Sequence, residues 1–268
     1  MKSFPCLKST RTLLRPFLVV VSLFFLGTVP AKSGDGNKTA IAAAASLNHV
    51  LVDIISRYRE ITGENVQVSF GSSGNFTRQI LQGAPFGLFL SADKAYIEKL
   101  QQSGVTDGLG DVFARGRIAY FVPEGSVLAN GEGLKGLKTA VEEGLVRRFV
   151  IANPEHAPYG RAAMEILENA GLWKRLGDKL VLGENASQAT QFTVSGSADG
   201  GLIALSQALT PKISSMGTYA LIPEGQHAPL WHAMVLIKGA DEKVRRFYDF
   251  LQTEPVRFIF EQYGYTSP

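Results

Sequence analysis

The chain has 268 residues, with 27 Lys and Arg against 24 Asp and Glu, a formal net charge of +3 and a single cysteine. No basic stripe interleaved with aromatic residues is visible, which excludes nucleic acid as an expected partner. The length suffices for one large or two modest domains that bury a core without disulfide staples.

Residues 1–16 hold Lys2, Lys8, Arg11 and Arg15 and no acid, and residues 17–29 form a short apolar run. Small residues follow, with Val29-Pro30-Ala31 as a cleavage site. This three-part form predicts a secretory signal peptide over 1–31. The run is shorter than the roughly 20 residues that a spanning helix needs, which favours cleavage over the alternative of an uncleaved membrane anchor. Cys6 precedes the apolar run, whereas a lipid-bearing cysteine would stand at its end. Removing four basic residues and no acid from +3 leaves a mature chain at −1 with no cysteine.

TAIAAAA (39–45) reads as a strand of small residues. SLNHVLVDIISRYREITG (46–63) carries Leu47, Val50, Leu51, Ile54, Ile55, Tyr58 and Ile61 at spacings of three and four. That predicts an amphipathic helix with Ser46 as N-cap and Gly63 past its end. NVQVSF (65–70) alternates as a strand. SSGNFTRQILQG (72–83) turns into a second helix, FGLFLSA (86–92) is a buried strand, and Asp93 caps the next helix. Strand–helix alternation predicts a parallel sheet flanked by helices, with ligands outside the carboxyl ends of its strands.

GRIAYFVPEGS (116–126) leaves this unit as a strand. A second α/β set follows: strand RFVIANP (148–154), helix GRAAMEILENAG (160–171), strand KLVL (179–182), helix SQATQFTVSG (187–196) and strand GGLIALS (200–206). TYALIPEG (218–225) is an extended return, APLWHAMVLIKG (228–239) is strand-like, and two helices close the chain. The expected domains are residues 38–118 with 226–268 as one discontinuous lobe and 119–225 as the other, with a cleft between.

Four loops leave a strand and enter a helix: AAAASLN (42–48), SFGSSGN (69–75), NPEHAPYG (153–160) and GENASQATQ (183–191). Helix N-termini offer unpaired N–H groups and the positive end of a dipole, so several that converge can bind an oxyanion with no formal positive charge. The polar groups near these turns are neutral donors: Ser46, Ser72, Ser73, Tyr159 and Ser187. Glu155 and Glu184 are expected to point away. Such donors suit a fully deprotonated dianion such as molybdate, tungstate or sulfate. The competing interpretation is that the serines only cap helices.

These loops resemble the periplasmic molybdate-binding protein family, the substrate-binding component of a molybdate ABC importer. The matching pieces are AAAASL, SFGSSGNFTRQI, GAPFGLFLSAD (83–93), NPEHAPYG, ENASQATQ and YDFLQTEPVRFIFEQYGY (248–265). The resemblance implies an α/β type II periplasmic binding protein fold, each lobe a mainly parallel sheet flanked by helices. It implies that Ser46 and Ser73 supply hydroxyl and amide donors, that Tyr159 contributes from the APYG turn, and that Ala186 gives a backbone N–H. Either the Tyr159 hydroxyl or only its amide serves. Some relatives place a tyrosine on the strand matching GGLIALS, where this chain has Ala204. The resemblance further implies a periplasmic monomer that needs no cofactor, carries molybdate or tungstate as cargo with no direct protein–metal ligand, and docks on a membrane permease.

His49, His156, His227 and His232 show no metal-ligand spacing, and His156 is expected at the rim of the cleft or in solvent. Neither a nucleophile elbow nor a P-loop is present. Three rivals remain open: a receptor for another oxyanion such as sulfate, a secreted serine hydrolase using Ser73 or Ser46, and a structural module whose serines are caps.

Overall fold

A computed structural model describes residues 38–129 and 132–268; the expected signal segment 1–31, with Cys6, lies outside the described residues. The chain begins β1 (Ala40–Ala44), α1 (Asn48–Thr62), β2 (Gln67–Gly71), α2 (Ser73–Leu81), β3 (Phe86–Ser91), α3 (Lys94–Gln102) and β4 (Thr106–Gly116). It continues through β5 (Ile118–Pro123), α4 (Gly133–Glu142), β6 (Phe149–Ala152), α5 (Pro158–Asn169), α6 (Trp173–Leu176), β7 (Leu180–Gly183), α7 (Ala186–Val194) and β8 (Gly200–Ala204). It ends with α8 (Leu205–Ala208), α9 (Pro211–Ser214), β9 (Gly217–Leu221), β10 (Leu230–Ile237), α10 (Glu242–Leu251) and α11 (Glu254–Gln262).

Two five-stranded sheets result, ordered β2-β1-β3-β10-β4 and β7-β6-β8-β5-β9. In each, three strands joined through helices pair in parallel, as the strand–helix alternation predicts. The remaining pairings are antiparallel, because β10 and β5 return to their sheets across the molecule, so both sheets are mixed. The chain passes between sheets twice, at Arg117 and over residues 222–229. Glu224 on the second passage accepts Arg115 at 2.8 Å and lies 3.5 Å from Arg117, tying the two passages together.

Local chemistry accounts for the elements that build the site. In α1, Val50, Leu51, Ile54 and Tyr58 form the buried stripe, and the helix stops where Gly63 takes φ 72°. Its N–H then closes on the Arg59 carbonyl at 2.9 Å, the left-handed C-terminal cap that glycine favours. β1 lies between β2 and β3, and its Ala42, Ala43 and Ala44 are buried. Small side chains there let flanking helices approach the sheet closely. Asp93 caps α3 by accepting from the Ala95 N–H at 2.8 Å.

β4 and α4 are among the elements that carry no sequence expectation. β4 reads TDGLGDVFARG and lacks alternation, because Gly108 and Gly110 take φ 90° and 72° and its register against β10 shifts twice. A Cβ on Gly110 would meet the Met234 carbonyl at 2.5 Å, so the irregular stretch needs glycine there. α4 starts at Gly133 with φ 55° and has no side-chain cap.

Candidate functional site

Five turns at carboxyl ends of strands meet at one small cavity. Its lining is Ala44, Ala45 and Ser46 after β1, Gly71, Ser72 and Ser73 after β2, Ala92 after β3, Ala157, Pro158 and Tyr159 after β6, and Ala186 after β7. The four residues expected to form the site, Ser46, Ser73, Tyr159 and Ala186, are therefore brought together from both sheets. The cavity holds about 10 Å³, roughly the room of one water molecule. It is walled by first turns of helices that carry no acidic residue. No acidic residue within their own first turns offsets the dipoles of α2, α5 and α7.

Each turn contributes differently. Ser73 is fully buried as the first residue of α2. Its Oγ accepts the Ala92 N–H at 3.0 Å, which leaves the hydroxyl proton free to donate. In α5 the first residue is Pro158, which has no N–H, so the first backbone donor of that helix is Tyr159. In α7 the Asn185 side chain caps by accepting from the Gln188 N–H at 3.1 Å, and the first-turn amide of Ala186 stays without an intrahelical partner.

The serines are not caps. Ser46, expected as the N-cap of α1, sits instead in the middle of a 3₁₀ turn, Ala45–Leu47, that precedes the helix. A tight turn of alanines reaches the helix direction before Ser46, so its hydroxyl never meets a first-turn amide. Ser72 does hold the N-cap position of α2, yet its hydroxyl makes no capping bond. Ser72 Oγ and the Tyr159 hydroxyl are buried with no hydrogen-bond partner, and both residues line the cavity. Buried polar groups left unpaired are costly, and a pair facing one cavity marks a place where a ligand completes them.

Tyr159 is a neutral donor. Burial, first, and then Tyr265 push its phenol well above the ordinary range, while the Ser46 hydroxyl acts the other way. Ser46 and Tyr265 are its polar neighbours, but neither completes a hydrogen bond with it. Beneath the Ser46 turn, Ser206 and Tyr265 hydroxyls both donate to the Ser46 carbonyl at 2.9 Å. Ser46 Oγ itself lies 3.3 Å from Nε2 of the fully buried His232. Ala204 is buried on β8, paired with Ile118, and is not part of the lining.

Contacts across the cleft hold the cavity shut. The Gly74 N–H donates to the His156 carbonyl at 2.9 Å. Ser187 Oγ donates to the Ala45 carbonyl at 2.9 Å, so the hydroxyl counted among the donors binds protein and not the cavity. Glu184 turns away from the lining, accepting from Asn75 and lying 3.4 Å from His156 Nε2. Glu155 is exposed. Arg161 pairs with Asp93. His156, expected at the rim or in solvent, is buried, because the turn around Gly74 covers it. Sequence reasoning gave no role to His232 or Tyr265, since no spacing in the sequence marks either one; their partners Ser46 and Ser206 lie far along the chain.

Among the described residues no group of three His, Cys, Asp or Glu is placed to hold a metal ion. None of their helices is long and apolar enough to cross a membrane.

Residues 39–266 match the family model for bacterial extracellular solute-binding proteins. The molybdate-binding protein ModA of Rhodobacter capsulatus is 33% identical over 242 residues, covering 89% of this chain and 91% of that protein. ModA of Azotobacter vinelandii is 34% identical over 239 residues, covering 88% and 92%. The solved periplasmic molybdate-binding protein of Azotobacter vinelandii superposes with a TM-score of 0.77, at 27% identity over 85% of this chain and 99% of that one. With two mixed sheets, a donor-lined cavity between them and these relatives, the chain belongs to the bacterial extracellular solute-binding proteins, in the family of the molybdate-binding proteins.

Proposed function

We propose that the chain is an extracytoplasmic receptor that closes on molybdate, with tungstate equivalent in shape and charge, and hands it to the permease of an ABC importer. The observation that carries this reading is the pair of orphaned buried hydroxyls, Ser72 Oγ and Tyr159 OH, on one acid-free cavity at helix N-termini. Ser46 and Ser73 donate from one sheet's turns. Tyr159 donates through amide and hydroxyl, and Ala186 through its amide. Ser72 joins them. Every contact is to anion oxygen, so no protein atom ligates the metal, and no cofactor takes part. Residues 38–118 with 226–268 form one lobe and 119–225 the other. The receptor is a periplasmic monomer released by cleavage of a signal peptide near residue 31, and it has no enzymatic activity.

Parallel calorimetric titration of the dialysed mature protein with molybdate, tungstate, sulfate and phosphate tests the reading. One-to-one binding of molybdate and tungstate, with sulfate and phosphate silent, is expected. Sulfate bound as tightly would make it a general oxyanion receptor, and silence from all four would remove the function.

One observation favours the hydrolase alternative: a histidine, His232, does stand beside Ser46. Two features weigh against it. Burial holds that imidazole down to about 4, a poor base near neutral pH. Its Nδ1 faces the Leu230 carbonyl, where an orienting carboxylate would be needed. Ester or peptide turnover lost in Ser46→Ala would reverse this judgement.

A further inference from the structure

His232 is more than a core residue beneath the cavity. It sits on β10, fully buried, with Nδ1 3.1 Å from the Leu230 carbonyl and Nε2 3.3 Å from Ser46 Oγ. A carbonyl oxygen only accepts, so Nδ1 carries the ring proton, and in the neutral ring Nε2 is an acceptor. The hydrogen available to it is that of the Ser46 hydroxyl. With no anion bound, Ser46 therefore aims its proton at His232 and turns lone pairs toward the cavity. That orientation repels an oxyanion. Rotating the proton to the anion would leave Nε2 buried and unpaired.

We propose that capturing the oxyanion puts a proton on Nε2 of His232, making this ring the positioning residue that aims the Ser46 hydroxyl at the anion. The proposal rests on reading the cavity as an oxyanion site. The proton comes from solvent, so protein, dianion and one proton combine into the closed complex. Nε2–H then donates to Ser46 Oγ, Ser46 donates to the anion, and the imidazolium offsets part of the ligand's charge.

The surroundings permit this. β4 presents Phe113 and Gly116 to the ring, α5 presents Tyr159, and the C-terminal segment presents Tyr265. Both phenols are pushed up by burial and stay neutral. Arg115 and Arg117 are turned to Glu224. Burial, with no charged side chain contributing, keeps the ring neutral until a ligand charge arrives. A bound dianion raises the proton affinity of a group this close. By linkage, affinity then rises as pH falls through the window between the free and bound values, by up to about tenfold per pH unit.

The test is calorimetric titration of the mature protein with molybdate at about pH 6 in two buffers of different ionisation enthalpy, which counts protons taken up. Uptake approaching one proton per anion is expected. It should be abolished in His232→Gln, whose amide donates to Ser46 at every pH, and should survive in His49→Gln and His156→Gln, the other histidines at the cleft. Molybdate binding with no uptake by the unmodified protein overturns this inference and leaves the receptor reading intact. Uptake that persists in His232→Gln, or that vanishes in His156→Gln or His49→Gln, also overturns it. Absence of molybdate binding overturns both.

Discussion

At Ser73 the Ala92 N–H occupies one lone pair of the hydroxyl and leaves its proton free to donate. Ser73→Ala should weaken molybdate binding by about 1.5–3 kcal/mol, the range for a hydrogen bond to a charged group. Calorimetry checks this, and unchanged affinity would remove Ser73 from the site. Tyr159→Phe should give opposite signs in two measurements. Deleting an orphaned buried hydroxyl relieves its desolvation cost, so the anion-free protein should unfold at an equal or higher temperature. The stabilisation that added molybdate gives should shrink, and a full ligand-induced shift would mean that only the amide serves. That Ser46, Ser73 and Tyr159 face one cavity was legible because each stands near a strand-to-helix turn, whereas Ala186 was marked only by the family resemblance. Ser72 was visible as a donor, but its idle hydroxyl was not, since a serine before a helix ordinarily caps it. His232 was invisible: its partnership with Ser46 spans 186 positions, and nothing local in β10 announces it.

The turn that opens α2 shows why the element needs its glycine. A Cβ on Gly74 would stand 2.8 Å from the His156 carbonyl oxygen and 2.9 Å from the His156 Cβ, so the two lobes could not meet there without a shift. Gly74 has ordinary helical backbone angles, which makes the constraint one of space across the cleft and not of conformation. Gly74→Ala should therefore leave the anion-free protein folded, with its melting temperature within a few degrees, yet lower molybdate affinity by roughly tenfold or more, because closure rather than folding is obstructed. Retained affinity would show that the lobes tolerate the extra methyl. β1 to α3, and β6, α5, β7 and α7, were readable from sequence: the helices by apolar residues at three-to-four spacing, and β1, β3 and β6 as short apolar runs that are almost wholly buried. β4 was not, because its bulges let glycines replace the alternation, and its order comes from pairing with β10 far along the chain.

For the molecule as a whole, folding stability should depend on acid through His232. Its folded value is about 4 against an ordinary 6.5, so below 6.5 the unfolded chain binds a proton that the folded one refuses. Its contribution is complete above about pH 6.5, is lost as pH falls toward about 4, and amounts to about 3 kcal/mol. Urea unfolding of the anion-free protein across that range should show the loss, and His232→Gln should flatten it; an unchanged slope in the variant would assign the loss to other groups. The same whole is held shut by a contact of a different kind. The bond from the Gly74 N–H to the His156 carbonyl joins main chain to main chain. Truncating His156 to alanine keeps that carbonyl, and Gly74 has no side chain to truncate. A survey that deletes side chains one at a time would thus report this fastening as silent, while only additions of bulk would expose it. Position 74 therefore holds this bond through the space it leaves open, and position 156 only through its main chain.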